Sequence, residues 1–211
     1  MSFIQFYRDQ KKSLPLPNPS EVKGGTFVVT GANTGLGYEC AKRLVLLTAS
    51  RVIIGVRSLR KGEDAKAKIE AETGIRGVIE VWHLDLSSYD SMKDFANQVK
   101  KLERVDAIIE NAAVALAEQT RAEGLETTLT VNVVSTLLLA VLVLPKLEES
   151  AKKYGITPHL VAIGSVTAFE SVGLLEKEET DEDILDILSR DNANMGQRQV
   201  AMYTKATNET D

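Results

Sequence analysis

The chain has 211 residues, 44% hydrophobic and 26% charged, with a net charge of −5, which suits one domain with a substantial core. The acidic balance gives no reason to expect nucleic acid or an anionic membrane surface as a partner. One cysteine, Cys40, excludes an intrachain disulfide and agrees with a reducing, cytoplasmic setting, and two distant histidines, His83 and His159, leave no metal-site pattern.

Residues 1–24 read as an N-terminal arm, and residues 25–211 as a single domain entered at Gly24-Gly25. In the arm, Phe3, Phe6 and Tyr7 share one face of a short helix, and the proline run from Leu14 to Pro19 is extended. Arg8, Asp9, Lys11 and Lys12 interrupt any secretory pattern. Strands and helices then alternate. Thr26–Thr30 is a short apolar strand, followed by Leu36, Cys40, Ala41, Leu44 and Val45 at helical spacing. Arg51–Val56 is a second strand, and the charged helix after it runs to about Glu72, with Gly74 as its left-handed stop. Val78–His83 is a third strand. Ser87 or Ser88 caps the next helix, whose Met92, Phe95, Ala96 and Val99 face the core. Val105–Ile109 is a fourth strand, and a long helix is expected from about Glu123 to Ser150. Its apolar stretch from Val131 to Leu144 is interrupted by Asn132, Ser135 and Thr136, ends at Pro145, and is short for a bilayer span of about 20 residues. A buried helix is expected there, with no stable membrane insertion. His159–Gly164 is a fifth strand. An acidic stretch from Glu176 to Asp183 leads to a short helix with Ile184, Leu185 and Leu188, and a last helix starts near Gly196.

Strands that are continuous apolar runs joined by helices form a parallel sheet covered on both faces. The expected fold is α/β: a doubly wound, Rossmann-type, three-layer α/β/α sheet, truncated after about five strands. Ligands then sit at the carboxyl ends of the strands.

The run Thr30-Gly31-Ala32-Asn33-Thr34-Gly35-Leu36-Gly37 follows the first strand directly and opens the first long helix. A pyrophosphate needs free backbone N–H groups and the positive end of a helix dipole, and glycines let the chain come close enough. Gly31, Asn33, Thr34, Gly35, Leu36 and Gly37 are therefore candidate cofactor residues. Arg57, at the end of the second strand with no acid until Glu63, suits a 2′-phosphate and points to NADP.

The spacing TGxxxGxG resembles the short-chain dehydrogenase/reductase family, and further motifs continue in order. Asp85-Leu86 matches the family's adenine-contacting aspartate, and Asn111-Ala112-Ala113 resembles its NNAG motif with both outer residues replaced. Asn132 matches the tetrad asparagine, and Ser165 the serine that hydrogen-bonds the substrate carbonyl. The run Tyr203-Thr204-Lys205-Ala206-Thr207-Asn208-Glu209 resembles the family's lysine segment, which makes Lys205 the residue that holds the nicotinamide ribose and lowers the tyrosine's pKa. The tyrosine position four residues earlier is then Ala201. Tyr203 lies about 200° around an ideal helix from Lys205, and counting forward from Tyr203 instead puts Thr207 in the lysine position. Neither register holds an intact pair.

The resemblance implies an NADP-dependent oxidoreductase that moves a hydride between carbonyl and alcohol on a small molecule, impaired as the sequence stands. A non-redox dinucleotide-binding protein and a structural remnant with an empty pocket remain open beside it. The arm resembles that of fungal members of secondary metabolism, which implies a bulky polyketide- or terpenoid-like substrate. Leucine and valine from Leu137 to Leu144 exceed one core-facing stripe, as a family-type homodimer would require.

Overall fold

A computed structural model of the chain describes residues 7–8, 11–12, 17–116, 118–164, 185 and 189. Phe3, Phe6, the segment from Leu14 to Leu16, Ser165, Ile184, Leu188, Ala201, Tyr203, Lys205 and Thr207 lie outside the described residues.

Five parallel strands form the sheet: β1 (Thr26–Thr30), β2 (Arg51–Val56), β3 (Ile79–His83), β4 (Ala107–Glu110) and β5 (His159–Ala162). Their order is β3-β2-β1-β4-β5, so the chain reverses its direction of winding between β1 and β4. This is the expected doubly wound α/β/α fold. Its helices are α1 (Pro19–Val22), α2 (Gly35–Leu46), α3 (Leu59–Thr73), α4 (Tyr89–Lys100) and α5 (Thr136–Tyr154).

Alternation along the strands divides the core in two. Val29, Val52 and Ile54 pack under Ala41 and Val45 of α2 and Ile69 of α3. Their neighbours Val28, Ile53 and Ile108 point the other way, onto Met92, Phe95 and Val99 of α4 and Leu139 and Val143 of α5. Each such side chain, once fully buried, contributes roughly 1.5–3 kcal/mol relative to exposure. Residues in the middle of the sheet are therefore apolar on both faces, as a sheet covered twice requires.

Helix ends follow local chemistry. Ser88, not Ser87, caps α4 by accepting from the Ser91 amide at 3.3 Å. Gly74 ends α3 with φ of 71°, as its sequence position implies.

The entry into the fold differs from expectation. Pro19 is the first residue of α1, where its missing N–H costs nothing, and Asn18 caps that turn through the Ser20 amide. Val22 is buried in the core, so the arm joins the domain before Gly24-Gly25.

The long helix also differs. Residues Arg121–Ala122 and Leu125–Glu126 form a small antiparallel ladder, and Glu123 and Gly124 turn between them with positive φ. Helical backbone starts only at Thr127, passes through a π-helical segment at Thr130–Ser135, and continues to Tyr154. It is 28 residues long and its most apolar window has mean hydropathy 2.1, so by length and composition it could cross a bilayer, and the length argument against a span does not hold. Half of its most apolar window is buried within the protein, and Leu139, Val143 and Leu147 belong to the core. Burial, rather than shortness, makes it a core helix.

Candidate functional site

At the carboxyl ends of β1 and β4 the two strands are tied by one side chain. The Thr30 hydroxyl accepts from the amides of Asn111 and Ala112, both at 3.0 Å. Asn111 returns the contact, its Nδ2 donating to the Thr30 carbonyl at 3.0 Å. Three hydrogen bonds thus hold the glycine loop against the end of β4.

The glycines are required there for two separate reasons. Gly31 and Gly35 have φ of 68° and 60°, which side-chain-bearing residues rarely adopt. A Cβ on Gly31 would lie 2.8 Å from the Ala112 Cα, and one on Gly37 2.5 Å from Asn111 Nδ2 and 3.0 Å from the Ala32 Cα. Thr34 precedes α2 in extended conformation and gives it no side-chain cap, so no side chain of its own blocks the helix N-terminus. Backbone N–H groups and a positive dipole end suit an anion such as a pyrophosphate. The cradle fits a dinucleotide because Gly31 and Gly37 let the loop pack down on Ala112 and Asn111, where a side chain at either would push it away.

An open cleft of about 350 Å³ runs past this loop. Of the residues expected at a cofactor, Gly31, Asn33, Thr34, Arg57, Asp85, Leu86, Asn111 and Ala112 line it. Gly35 and Leu36 line a neighbouring cavity instead, and the Leu36 side chain is 76% exposed. Gly37 lies beneath the loop, where its role is to admit Asn111. Asp85 forms the rim through its own turn: Oδ1 accepts from the Ser87 amide at 2.9 Å and hydroxyl at 2.6 Å. Arg57 is exposed and has no ion-pair partner among the described residues, so its guanidinium is available to the cleft.

Asn132 sits in the π-helical segment and is buried. Its side-chain amide is used at both ends by one residue, Oδ1 accepting from the Val114 amide and Nδ2 donating to the Val114 carbonyl, each at 2.8 Å. The side chain therefore holds the loop after β4 against the helix, and does not itself line the cleft. π-turns recur at functional sites. Ser165, Tyr203 and Lys205 lie outside the described residues.

Several lining residues were not singled out from the sequence: Gly55, Leu84, Val114, Leu116, Thr127 and Val131. Gly55 carried a usable signal, since glycine inside a strand marks a close approach; a Cβ there would lie 3.0 Å from Leu84 and Phe95. Glu110 is one of the two outer residues replaced in the NNAG-like motif. It is 5% exposed, its Oε1 has no hydrogen-bond partner among the described residues, and burial pushes its carboxyl up to about 8.

Residues 25–175 match the family model for short chain dehydrogenases. The chain is 49% identical over 167 residues to a short chain dehydrogenase/reductase of Cryptosporiopsis sp., covering 78% of this chain and 51% of that protein. It is 41% identical over 145 residues to a short chain dehydrogenase of Emericella nidulans, covering 69% of this chain and 46% of that one. The chain spans about half the length of these curated relatives. Among solved structures it is similar to a short-chain dehydrogenase from Sphingobium yanoikuyae in complex with NADPH, with TM-score 0.58, 26% identity, and 69% of this chain and 55% of that chain covered. A metagenomic short-chain oxidoreductase in complex with NADP shares the fold, with TM-score 0.63 at 22% identity over 87% of this chain and 72% of that chain.

Proposed function

The chain belongs to the short-chain dehydrogenase family, and from that premise we propose that it is an NADP-dependent oxidoreductase whose proton-transfer apparatus is impaired. One observation carries the cofactor reading: the glycine loop lies against Ala112 and Asn111 with no room for a side chain, and the cleft beside it holds Arg57, which has no ion-pair partner among the described residues. The NADPH bound by the Sphingobium yanoikuyae protein supports the same reading. A reduced nicotinamide would supply the hydride. Gly31, Asn33 and Thr34 would hold the phosphates, Asp85 and Leu86 the adenine end, and Arg57 the 2′-phosphate. Asn111 and Ala112 would keep the loop in place.

On the substrate side, Ser165 would hydrogen-bond the carbonyl oxygen and Lys205 would hold the nicotinamide ribose. Asn132 acts by clamping Val114 at the wall of the cleft. The tyrosine position is Ala201, and a methyl group moves no proton, so turnover falls by about 10²–10⁴ unless Tyr203 or water substitutes. The same alanine favours a second reading, a non-redox protein that binds the dinucleotide. Turnover gained in Ala201→Tyr would favour the first, and no gain in a protein that binds NADPH the second.

The substrate would be a small molecule of the bulky polyketide or terpenoid class, met in the cytoplasm. Two copies would pair through α5, where Leu137, Val141 and Leu144 form an exposed stripe at helical spacing. The test of the cofactor reading is a titration with NADPH and NADH. NADPH should bind at least about tenfold more tightly, as a charge-assisted guanidinium–phosphate contact implies, and Arg57→Ala should remove the difference. Equal affinity of the unaltered chain for both would remove Arg57 from this role.

A further inference from the structure

A serine far along the chain is built against the small ladder that leads into Thr127, a residue of the cleft wall. Ser189 is 2% exposed, and its carbonyl accepts from Gln119 Nε2 at 2.7 Å and Arg121 Nη2 at 3.1 Å. Its hydroxyl accepts from the Glu126 amide at 3.1 Å and donates to the Leu185 carbonyl at 2.8 Å. All three contacts to the ladder at residues 119–126 bridge more than 60 residues of sequence.

The ladder has few resources of its own. It pairs only two residues on each side, and it contains a buried carboxyl group, Glu126, whose Oε1 has no partner among the described residues. Arg121 stands opposite Glu126 in the ladder but gives its guanidinium to the carbonyls of Gly124 and Ser189. A buried carboxyl group with one oxygen unpartnered among the described residues disfavours the arrangement, so the covering contacts decide whether it holds.

From the ladder the connections run to the cleft. Glu126 Oε2 accepts from the Leu129 amide at 2.9 Å and so starts the helical turn that leads to Asn132. Asn132 in turn clamps Val114 on both backbone atoms. Val114, Thr127 and Val131 line the cleft.

We propose that Ser189 is a positioning residue for the reacting end of the cleft, pinning the 119–126 ladder and, through Glu126 and Asn132, fixing Val114 and Val131. The proposal rests on the reading of this cleft as the cofactor and substrate site. It concerns the end away from Arg57, so the two fail separately.

The test uses the full chain and two readouts. Ser189→Ala removes the hydroxyl contacts and should speed amide hydrogen exchange at Glu126, Leu129 and Val114 by about tenfold, with Val28 and Val29 in β1 unchanged. Ser189→Thr should restore slow exchange. Arg121→Gln, at an exposed side chain that the fold tolerates, should give a smaller increase at the same amides. With NADPH added, Ser189→Ala should alter the emission of the bound nicotinamide while leaving NADPH affinity unchanged, and Ser189→Thr should restore it. Unchanged exchange at Val114 in both variants would overturn the proposal. So would a uniform increase across the chain, which marks a merely structural residue. If the unaltered chain binds no NADPH, the cofactor reading falls while the exchange pattern still decides the role of Ser189.

Discussion

β1 and β5 flank the same strand, β4, in the same sheet, yet every residue of β1 is buried and every residue of β5 is exposed. Around β1, polar groups are matched within the fold. Asp106 accepts from the Thr26 amide at 2.8 Å at one end of the strand, and Thr30 ties Asn111 and Ala112 at the other. β5 pairs with β4 on one side only, and its other edge has no strand among the described residues. Leu160 and Val161 are exposed on it. The half proposed to hold the dinucleotide is thus tied strand to strand within the sheet, across 80 to 82 residues of sequence. The half proposed to hold the substrate leans on contacts outside that sheet, among them those of Ser189 across 63 to 70 residues.

The largest effect is expected where the first half is tightest. Gly37→Val places a side chain where Asn111 Nδ2 and the Ala32 backbone already lie. It should destabilise the chain by about 3 kcal/mol, the upper end of overpacking costs, and abolish NADPH binding. Denaturant unfolding and a cofactor titration check both. A valine tolerated without loss of either would mean that the loop is not held as closely as the contact with Asn111 requires.

Glu110, at the border between the halves, gives the next largest effect. Its carboxyl is at about 8 in the folded chain against an ordinary 4.5, because burial disfavours the charge. Below about pH 4.5 the group is neutral in both states and costs nothing in proton linkage. As pH rises from there to 8 the unfolded chain ionises while the folded chain stays protonated, so stability falls across that window and levels off above it. Glu110→Gln should flatten this fall and stabilise the chain at pH 8 by roughly 2 kcal/mol, well below the full linkage value because relaxation and water entry reduce it. Unfolding at pH 5 and pH 8 measures the difference. An unchanged pH slope would show that Glu110 is ionised in the fold.

The smallest effect on stability is expected on the outer face of α5. Val141 is 66% exposed, so Val141→Lys should change the unfolding free energy by no more than about 0.5 kcal/mol. Hydrodynamic mass should nevertheless drop from two chains to one. A single-chain mass for the unaltered protein would remove the proposed homodimer.

The same contrast separates what the sequence made legible from what it did not. Gly31, Gly35 and Gly74 could be read in advance because a positive φ leaves glycine as the economical choice, and the alternation of Val28 with Val29 and Ile53 with Ile54 requires a sheet covered twice. Arg57, Asp85 and Asn111 follow from their distance to strand ends, a local quantity. Local rules failed at Glu123-Gly124, where helical composition yields to a turn whose Glu123 Oε1 accepts from the Tyr89 amide 34 residues away. Glu110 gave no such signal, since a charged residue at a strand end ordinarily faces water and this one is buried. Pro19 was misread because a proline opens a helix as readily as it extends a chain. Asn132 was found, but its work on Val114 is a tertiary contact that spacing does not disclose.

The proposed dinucleotide lies along the carboxyl ends of β1, β2 and β4. Backbone amide chemical shifts, followed while NADP is titrated into the labelled chain, test that placement residue by residue. It predicts saturable shifts at Gly31, Asn33, Thr34, Arg57, Asp85, Asn111 and Ala112. Gly24, Ser50 and Arg104, which lie together at the opposite end of the sheet, should not move. Shifts confined to that opposite end, or none at saturating NADP in a folded chain, would contradict it.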